Sequence, residues 1–107
     1  EWEYAARAGR SGAYAGLPGV SSTSGQGMAS VARFDQFRPV SVTSGAANEW
    51  GLLHMYGNIE ECVAGGILRG GSYRSQIDGL RSAARRDMGT PFPPNAQIGF
   101  RVVLEER

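Results

Sequence analysis

The chain carries R-G-G-S-Y at Arg69–Tyr73, R-S-A-A-R at Arg81–Arg85 and G-F-R at Gly99–Arg101. These three segments, rich in glycine and arginine, are the most informative part of the sequence. Polarity alternates over Leu80–Arg85 and Ile98–Leu104 as it does in half-buried strands, so two strands are predicted here. In the second strand the alternation puts three apolar side chains on one face: Phe100, Val102 and Leu104.

The segments between these anchors have no regular pattern. Residues 74–79 and 86–97 mix glycine, proline, aspartate, serine and apolar residues, which is typical of surface loops. A rigid frame that carries chemically mixed loops is one way to build a binding site. Ordinary connecting loops give the same pattern, so both interpretations stay open at this point.

Composition limits the classes of protein to consider. The chain has 107 residues, which allows one domain, and its 41% hydrophobic and 20% charged residues indicate a folded globular protein. A net charge of +1 gives no electrostatic case for nucleic acid or an anionic membrane. The single cysteine, Cys62, excludes an internal disulfide, a multi-cysteine zinc site and a redox cysteine pair. No apolar run approaches the ~20 residues of a membrane span, so a soluble protein is predicted and its compartment stays unknown.

The first part of the chain predicts one helix and a long loop. Glu1–Ala8 has an apolar stripe at Trp2, Ala5 and Ala6, and Gly9 is a typical residue to end the helix. This helix has almost no lead-in, so the chain is expected to start inside an element. Residues 10–30 are rich in glycine and serine and predict a loop, and Val31–Phe37 predicts a short strand.

A second dense segment runs from Asn48 to Val63. It holds apolar residues between two glycines, followed by Asn58 and Glu61. Calcium prefers hard oxygen donors, so Asn58, Glu61 and nearby carbonyls are a candidate calcium site. The alternative is that Asn58 caps a turn and Glu61 pairs with an arginine.

Five motifs together resemble the formylglycine-generating-enzyme (sulfatase-modifying factor) domain family. They are E-W-E-Y-A-A-R at Glu1–Arg7, the segment Asn48–Val63, and the three anchors. The resemblance implies an α+β, C-type-lectin-like fold of the formylglycine-generating-enzyme type, with short strands, few helices and much irregular loop. Domains of this family begin well upstream of the E-W-E-Y helix. Residues 1–107 are therefore expected to form a single domain that is truncated at its N-terminus relative to the family.

The resemblance also bears on catalysis. Catalytic members oxidise a substrate cysteine at a copper ion held by two cysteine thiolates between the R-G-G-S motif and the next arginine-rich strand. Here that interval has no cysteine, and Ser75 and Ile77 stand near the expected positions. Neither can supply the sulfur donor that selects Cu(I). Cys62 lies in another motif and is expected to be a small buried apolar residue, and His54, the only histidine, is expected to be structural.

The variable proteins of diversity-generating retroelements fit the motifs better. They resemble the same domain but carry a ligand-binding face. The residues of that face vary because mutagenesis is directed at adenines in selected codons of the coding repeat. This resemblance implies a fixed frame at the three anchors, braced by their arginines, and solvent-facing ligand-binding residues between them. Among the ligand-binding residues predicted here, only Met88 cannot arise when the two adenines of an asparagine codon are mutated. The predicted ligand-binding residues are Tyr73, Arg74, Ser75, Ile77, Asp78, Gly79, Asp87, Met88, Thr90 and Phe92.

Three functional classes follow. The favoured one is a non-catalytic module that binds a protein or small-molecule ligand at the variable face, with no cofactor for catalysis. The second is a non-catalytic family member with a structural or accessory role. The third is an oxidase-type enzyme or fragment acting on a protein cysteine.

Overall fold

The computed structural model describes residues 1–87 and 97–104, and Met88, Thr90 and Phe92 lie outside these ranges. Among the described residues there is one α-helix, α1 (Trp2–Arg7), and four short strands. The strands are β1 (Glu60–Val63), β2 (Ile67–Arg69), β3 (Arg85–Asp87) and β4 (Ile98–Gly99). Two 3-10 helices, Met28–Ser30 and Ile77–Leu80, interrupt the loops.

The four strands form one mixed sheet in the order β3-β2-β1-β4. Strand β2 lies between β1 and β3 and is antiparallel to both, while β4 is parallel to β1. The connection between β1 and β2 turns at Gly65 and Gly66, whose φ angles are +85° and +71°. Glycine adopts such angles without a Cβ clash, which is why this short hairpin can form.

The core lies where the apolar face of α1 meets the loops. Trp2 and Ala6 pack with Tyr14, Met28, Met55, Tyr56 and Leu80. The rings of Trp2 and Tyr56 meet edge to face, with centroids 6.4 Å apart. The Tyr56 hydroxyl lies 2.6 Å from both the carbonyl oxygen of Ala15 and Oγ of Ser82. Burial raises the pKa of Tyr56 above its ordinary value, because ionisation would place a charge in a site removed from water.

Asn48 joins the second dense segment to α1. Its Nδ2 donates to the carbonyl oxygen of Ala5 at 2.8 Å, and its Oδ1 accepts from the backbone N–H groups of Trp50 and Leu52. One buried amide therefore satisfies a carbonyl near the end of the helix and closes a turn.

The predicted helix is confirmed within one residue at each end. It ends at Arg7, because the next residue, Ala8, has a φ of 48° and has left the helical conformation.

Two strand predictions were wrong in extent. Leu80 ends a 3-10 helix, and strand β3 begins only at Arg85. Burial still alternates from Leu80 to Ala83, but the backbone does not pair as a strand: Ser82 N–H donates to the distant Ala13 carbonyl, and Ala84 N–H closes a turn on the Arg81 carbonyl. Strand β4 ends at Gly99, where its pairing with β1 stops.

The face predicted beyond Gly99 is not buried. Phe100, Val102 and Leu104 are 78%, 81% and 94% exposed. Alternation shows which side chains could share a face, but a strand also needs a hydrogen-bonded neighbour. The predicted strand at Val31–Phe37 is wrong for the same reason. This segment makes only one isolated parallel bridge, between Arg33 and Gly57.

Candidate ligand-binding site

The R-G-G-S turn depends on two glycines that no other residue could replace without strain. Gly70 and Gly71 have φ angles of +93° and +70°. A Cβ on Gly70 would lie 2.8 Å from the carbonyl oxygen of Met55 and 2.9 Å from the Trp2 ring. A Cβ on Gly71 would lie 3.1 Å from the carbonyl oxygen of Gly79. The turn is thus packed against the core on one side and against the second 3-10 helix on the other.

The residues after this turn are held by short-range hydrogen bonds. Ser75 Oγ accepts from the backbone N–H of Ser72 at 2.9 Å, and Ser72 Oγ donates to Gln97 Oε1 at 3.1 Å. The backbone N–H of Asp35 donates to the Ser75 carbonyl, and Gln76 Nε2 donates to Asp35 Oδ1. The loop therefore has a defined position although it contains little regular structure.

A cleft of about 310 Å³ opens between this loop, the second 3-10 helix and strands β2 and β3. Its volume is at the lower end of the range of ligand pockets, about 300–1,000 Å³. The lining residues come from all of these elements and from the start of β1: Glu60, Leu68, Gly70, Gly71, Ser75, Gln76, Asp78, Gly79, Arg81, Ala84, Arg85 and Arg86.

Three of the predicted ligand-binding residues line this cleft, namely Ser75, Asp78 and Gly79. Arg74 and Ile77 are exposed and do not line the cleft, although their neighbours in sequence do. Asp87 is exposed on β3, in register with Ile67, and is not among the lining residues.

Tyr73 requires a correction, because it does not face solvent. Its side chain is 5% exposed, and the guanidinium of Arg74 lies over its ring at 5.7 Å from the centroid. Its backbone N–H donates to the Asn58 carbonyl, and its own carbonyl accepts from Gln36 N–H, both at 2.7 Å. These bonds on both sides hold Tyr73 in the interior, so it belongs to the frame.

Several lining residues were not in the predicted site. Arg81 and Arg85 were assigned to the frame, while Glu60 and Gln76 carried no distinctive signal in the sequence. Glu60 pairs with Arg86 across the sheet, where Nε of Arg86 lies 3.1 Å from the carboxylate. This pairing raises the pKa of Arg86. The contact depends on the strand order, which the sequence does not reveal.

The expected bracing role is seen for two of the anchor arginines, Arg69 and Arg101, whereas Arg81 and Arg85 line the cleft. Arg69 is 8% exposed and donates to Glu3 Oε1 at 2.8 Å, to the Ala84 carbonyl at 3.2 Å and, at 3.5 Å, to the Ser82 carbonyl. Arg101 makes two hydrogen bonds to the Glu61 carboxylate, at 2.8 and 3.0 Å, and one to the Leu53 carbonyl. Such two-point contacts fix orientation as well as charge.

The candidate calcium residues already have protein partners. Asn58, at φ 67°, accepts from Val40 N–H and donates to the Val40 carbonyl. Glu61 accepts from Arg101 and from the Trp2 indole N–H at 3.2 Å. These are the roles of the alternative interpretation, a turn cap and an arginine pair. Calcium at these residues stays a prediction, tested by whether calcium raises the melting temperature.

Cys62 and His54 have local contacts. Cys62 is half-buried rather than buried, and its Sγ donates weakly to the Val63 carbonyl at 3.7 Å. His54 Nε2 lies 3.1 Å from the Ser41 carbonyl oxygen. Over residues 1–87 and 97–104 no three histidine, cysteine or acidic side chains are grouped to hold a metal ion. In the same ranges no helix is long and apolar enough to cross a membrane.

Comparison with known proteins decides the family. The profile of the sulfatase-modifying factor enzyme 1-like domain matches residues 1–106, almost the entire chain. The chain belongs to this family. The sequence-based assignment to the sulfatase-modifying factor family is thereby confirmed. A search of curated proteins finds no match.

Solved structures agree on the fold of this sulfatase-modifying factor domain. Treponema denticola variable protein 1 superposes with a TM-score of 0.76 at 21% identity, covering 94% of this chain and 43% of that one. PvdO from Pseudomonas aeruginosa gives 0.73 at 23% identity, covering 92% and 48%. CarF gives 0.59 at 27% identity, covering 94% and 43%. The C-type-lectin-like fold is confirmed, and the chain spans less than half the length of each of these three proteins.

Proposed function

We propose that this chain is a non-catalytic recognition module that binds a protein or small-molecule ligand in the cleft beside the R-G-G-S turn. The observation that carries the proposal is that Ser75, Asp78 and Gly79, singled out as ligand-binding residues from the sequence, line one cleft. The similarity to a variable protein of Treponema denticola supports the same conclusion at the level of the scaffold.

The division between frame and cleft residues supports display of variable side chains. Gly70, Gly71 and Leu80 are buried and tightly packed, so substitution there disturbs the fold. Asp78 is exposed, and its carboxylate has no hydrogen bond or ion pair among the described residues. Gln76 is also exposed, and its side chain makes only the solvent-exposed hydrogen bond to Asp35. Exposed side chains without such contacts can change with little effect on stability.

Selection of peptides tests whether the cleft is the binding site. A phage library of random heptapeptides is panned on the whole chain, and the affinity of the selected peptides is measured for two variants. Asp78→Trp fills the cleft and is expected to abolish binding. Val42→Trp, at a residue that is 72% exposed and does not line the cleft, is the matched control and should bind as the parent does.

The contrary result is equally clear. Peptides that bind the Asp78→Trp variant as tightly as the parent would place recognition on another surface. The melting temperature of each variant, measured in parallel, separates loss of the cleft from loss of the fold.

The relation to diversity-generating retroelements has its own test in the genome. A template repeat that differs from this coding sequence only at adenines, next to a reverse-transcriptase gene, is the expected finding for a variable protein. The varied codons should include those of Ser75 and Asp78. They should exclude the glycine codons of the R-G-G-S turn.

The oxidase alternative makes a different prediction. Two thiolates are needed to hold copper in that chemistry, and this chain contributes one cysteine, Cys62. Metal analysis after incubation with Cu(I), together with oxidation of a cysteine-containing peptide, distinguishes the two functions. Stoichiometric copper with turnover of the peptide would contradict the recognition proposal.

A further inference from the structure

The charges that line the cleft are unequally neutralised. Three arginines, Arg81, Arg85 and Arg86, face two carboxylates, Glu60 and Asp78. Arg86 and Glu60 form an ion pair in which both ends of the guanidinium contact the carboxylate. This pair is neutral, which leaves two guanidinium groups and the Asp78 carboxylate.

Arg85 has only a weak and crowded partner. Its Nη2 lies 3.7 Å from Glu3 Oε1, beyond hydrogen-bond distance. The Glu3 carboxylate already accepts from Arg69 at 2.8 Å and from Arg7 at 2.9 Å. One carboxylate therefore serves three guanidinium groups, and most of the charge of Arg85 is not compensated. Its side chain is 61% exposed, so a ligand can reach it.

Arg81 has no carboxylate partner among the described residues. Its Nε donates to the backbone carbonyl of Asp78 at 2.8 Å, which fixes the side chain close to the second 3-10 helix. Within residues 1–87 and 97–104 the terminal nitrogens of Arg81 make no hydrogen bond or ion pair. A guanidinium held by Nε presents its other N–H groups in a fixed direction.

From this surplus of charge we infer that the ligand enters the cleft through an anionic group, specifically a carboxylate, which Arg81 and Arg85 bind. The inference rests on the proposed function, since it names the chemistry of the ligand for that same cleft. A flat carboxylate matches the planar fork of a guanidinium and can accept two parallel hydrogen bonds from it. Hydrogen bonds between such charged groups are stronger than those between neutral groups. Leu68 and Ala84 line the same cleft and supply apolar contact for the carbon chain that bears the carboxylate.

A titration with glutarate tests the inference on the whole chain. The Nε–H resonances of the arginine side chains are followed by NMR while glutarate is added, with glutaramide as the neutral isostere and inorganic phosphate as a second anion. Saturable shifts at Arg81 and Arg85 are expected with glutarate and none with glutaramide. Stronger binding of phosphate than of glutarate would overturn the choice of carboxylate.

Three variants give a pattern that unfolding cannot imitate. Arg81→Gln should weaken glutarate binding about tenfold, because one charged hydrogen-bonding partner is lost. Asp78→Asn should strengthen binding several-fold, because a like charge is removed from the cleft. Arg10→Gln, which alters an exposed arginine paired with Glu49, should leave binding unchanged. Equal effects of Arg81→Gln and Arg10→Gln, or weaker binding by Asp78→Asn, would overturn the inference.

The two proposals can fail separately. If selected peptides lose binding to Asp78→Trp but bind Arg81→Gln as tightly as the parent, the cleft is the site and the carboxylate inference is wrong. If peptides bind the Asp78→Trp variant normally, the proposed site itself is wrong, whatever glutarate does.

Discussion

At the scale of single residues, close backbone approach explains why glycine occupies the R-G-G-S turn. Gly70 and Gly65 have similar φ angles, +93° and +85°, but different surroundings. A Cβ on Gly70 would meet a backbone oxygen and the Trp2 ring below 3.0 Å, whereas a Cβ on Gly65 would meet nothing within 4 Å. The two positions therefore separate the cost of the φ angle from the cost of a clash.

Gly70→Ala should lower the free energy of unfolding by clearly more than Gly65→Ala. The φ angle alone costs about 1–3 kcal/mol for a non-glycine residue, and the clash at Gly70 adds to it. Chemical denaturation of both variants measures the difference. Equal losses would show that the backbone around Gly70 relaxes easily and that the turn is not a fixed part of the frame.

The burial of Tyr73 yields a second prediction at this scale. Tyr73→Ala should cost about 3–5 kcal/mol, as the removal of a buried aromatic ring does. Ile77→Ala, at a residue that is 36% exposed, should cost about 1 kcal/mol or less. Denaturation curves of the two variants check the assignment. A larger loss at Ile77 than at Tyr73 would reverse which of them belongs to the frame.

At the scale of elements, the carboxylate of Glu3 links α1 to strands β2 and β3. The hydrogen bond from Arg69, with that from Arg7, holds the pKa of Glu3 below its ordinary value of 4.5. A carboxyl whose pKa is lower in the folded than in the unfolded protein stabilises the fold at pH values above its pKa in the unfolded protein. That contribution is lost as the pH falls through the lowered pKa.

Glu3→Gln should therefore reduce stability by about 1–2 kcal/mol at neutral pH, and the difference from the parent should shrink as the pH falls below 4.5. Thermal melts from pH 7 to acid measure this trend. Glu49→Gln, which removes the exposed pair with Arg10, is the control and should leave the melting temperature unchanged. A difference that stays constant with pH would mean that Glu3 acts through packing and not through its charge.

The same scale shows what the sequence could and could not predict. The helix is confirmed because its apolar stripe at Trp2 and Ala6 is local in sequence, and the bracing roles of Arg69 and Arg101 follow from the motifs. The strands at 80–85 and 98–104 were misjudged because a strand requires a neighbour, and neighbours are set by contacts distant in sequence. The Arg86–Glu60 pair in the cleft was missed for this reason, since it joins residues 26 apart.

At the scale of the whole molecule, the residues that form the core differ from the exposed residues proposed to bind ligand. The core packs Trp2 and Ala6 of α1 with Met28, Met55, Tyr56 and Leu80, and Gly70 of the R-G-G-S turn lies close to Trp2. The cleft is lined by both glycines of that turn and by exposed side chains of the neighbouring segments, among them Gln76, Asp78 and Arg81. A frame of this kind can keep its shape while the cleft residues change, which is the property a variable recognition module requires.

The most direct test of this central claim is a saturation library of residues 70–82, displayed on yeast and sorted by resistance to protease. The account predicts that residues 74, 76, 77 and 78 accept most amino acids, while Gly70, Gly71, Tyr73 and Leu80 accept few. Loss of folding at Gln76 and Asp78 as severe as at Leu80 would contradict it, because the cleft would then be part of the frame.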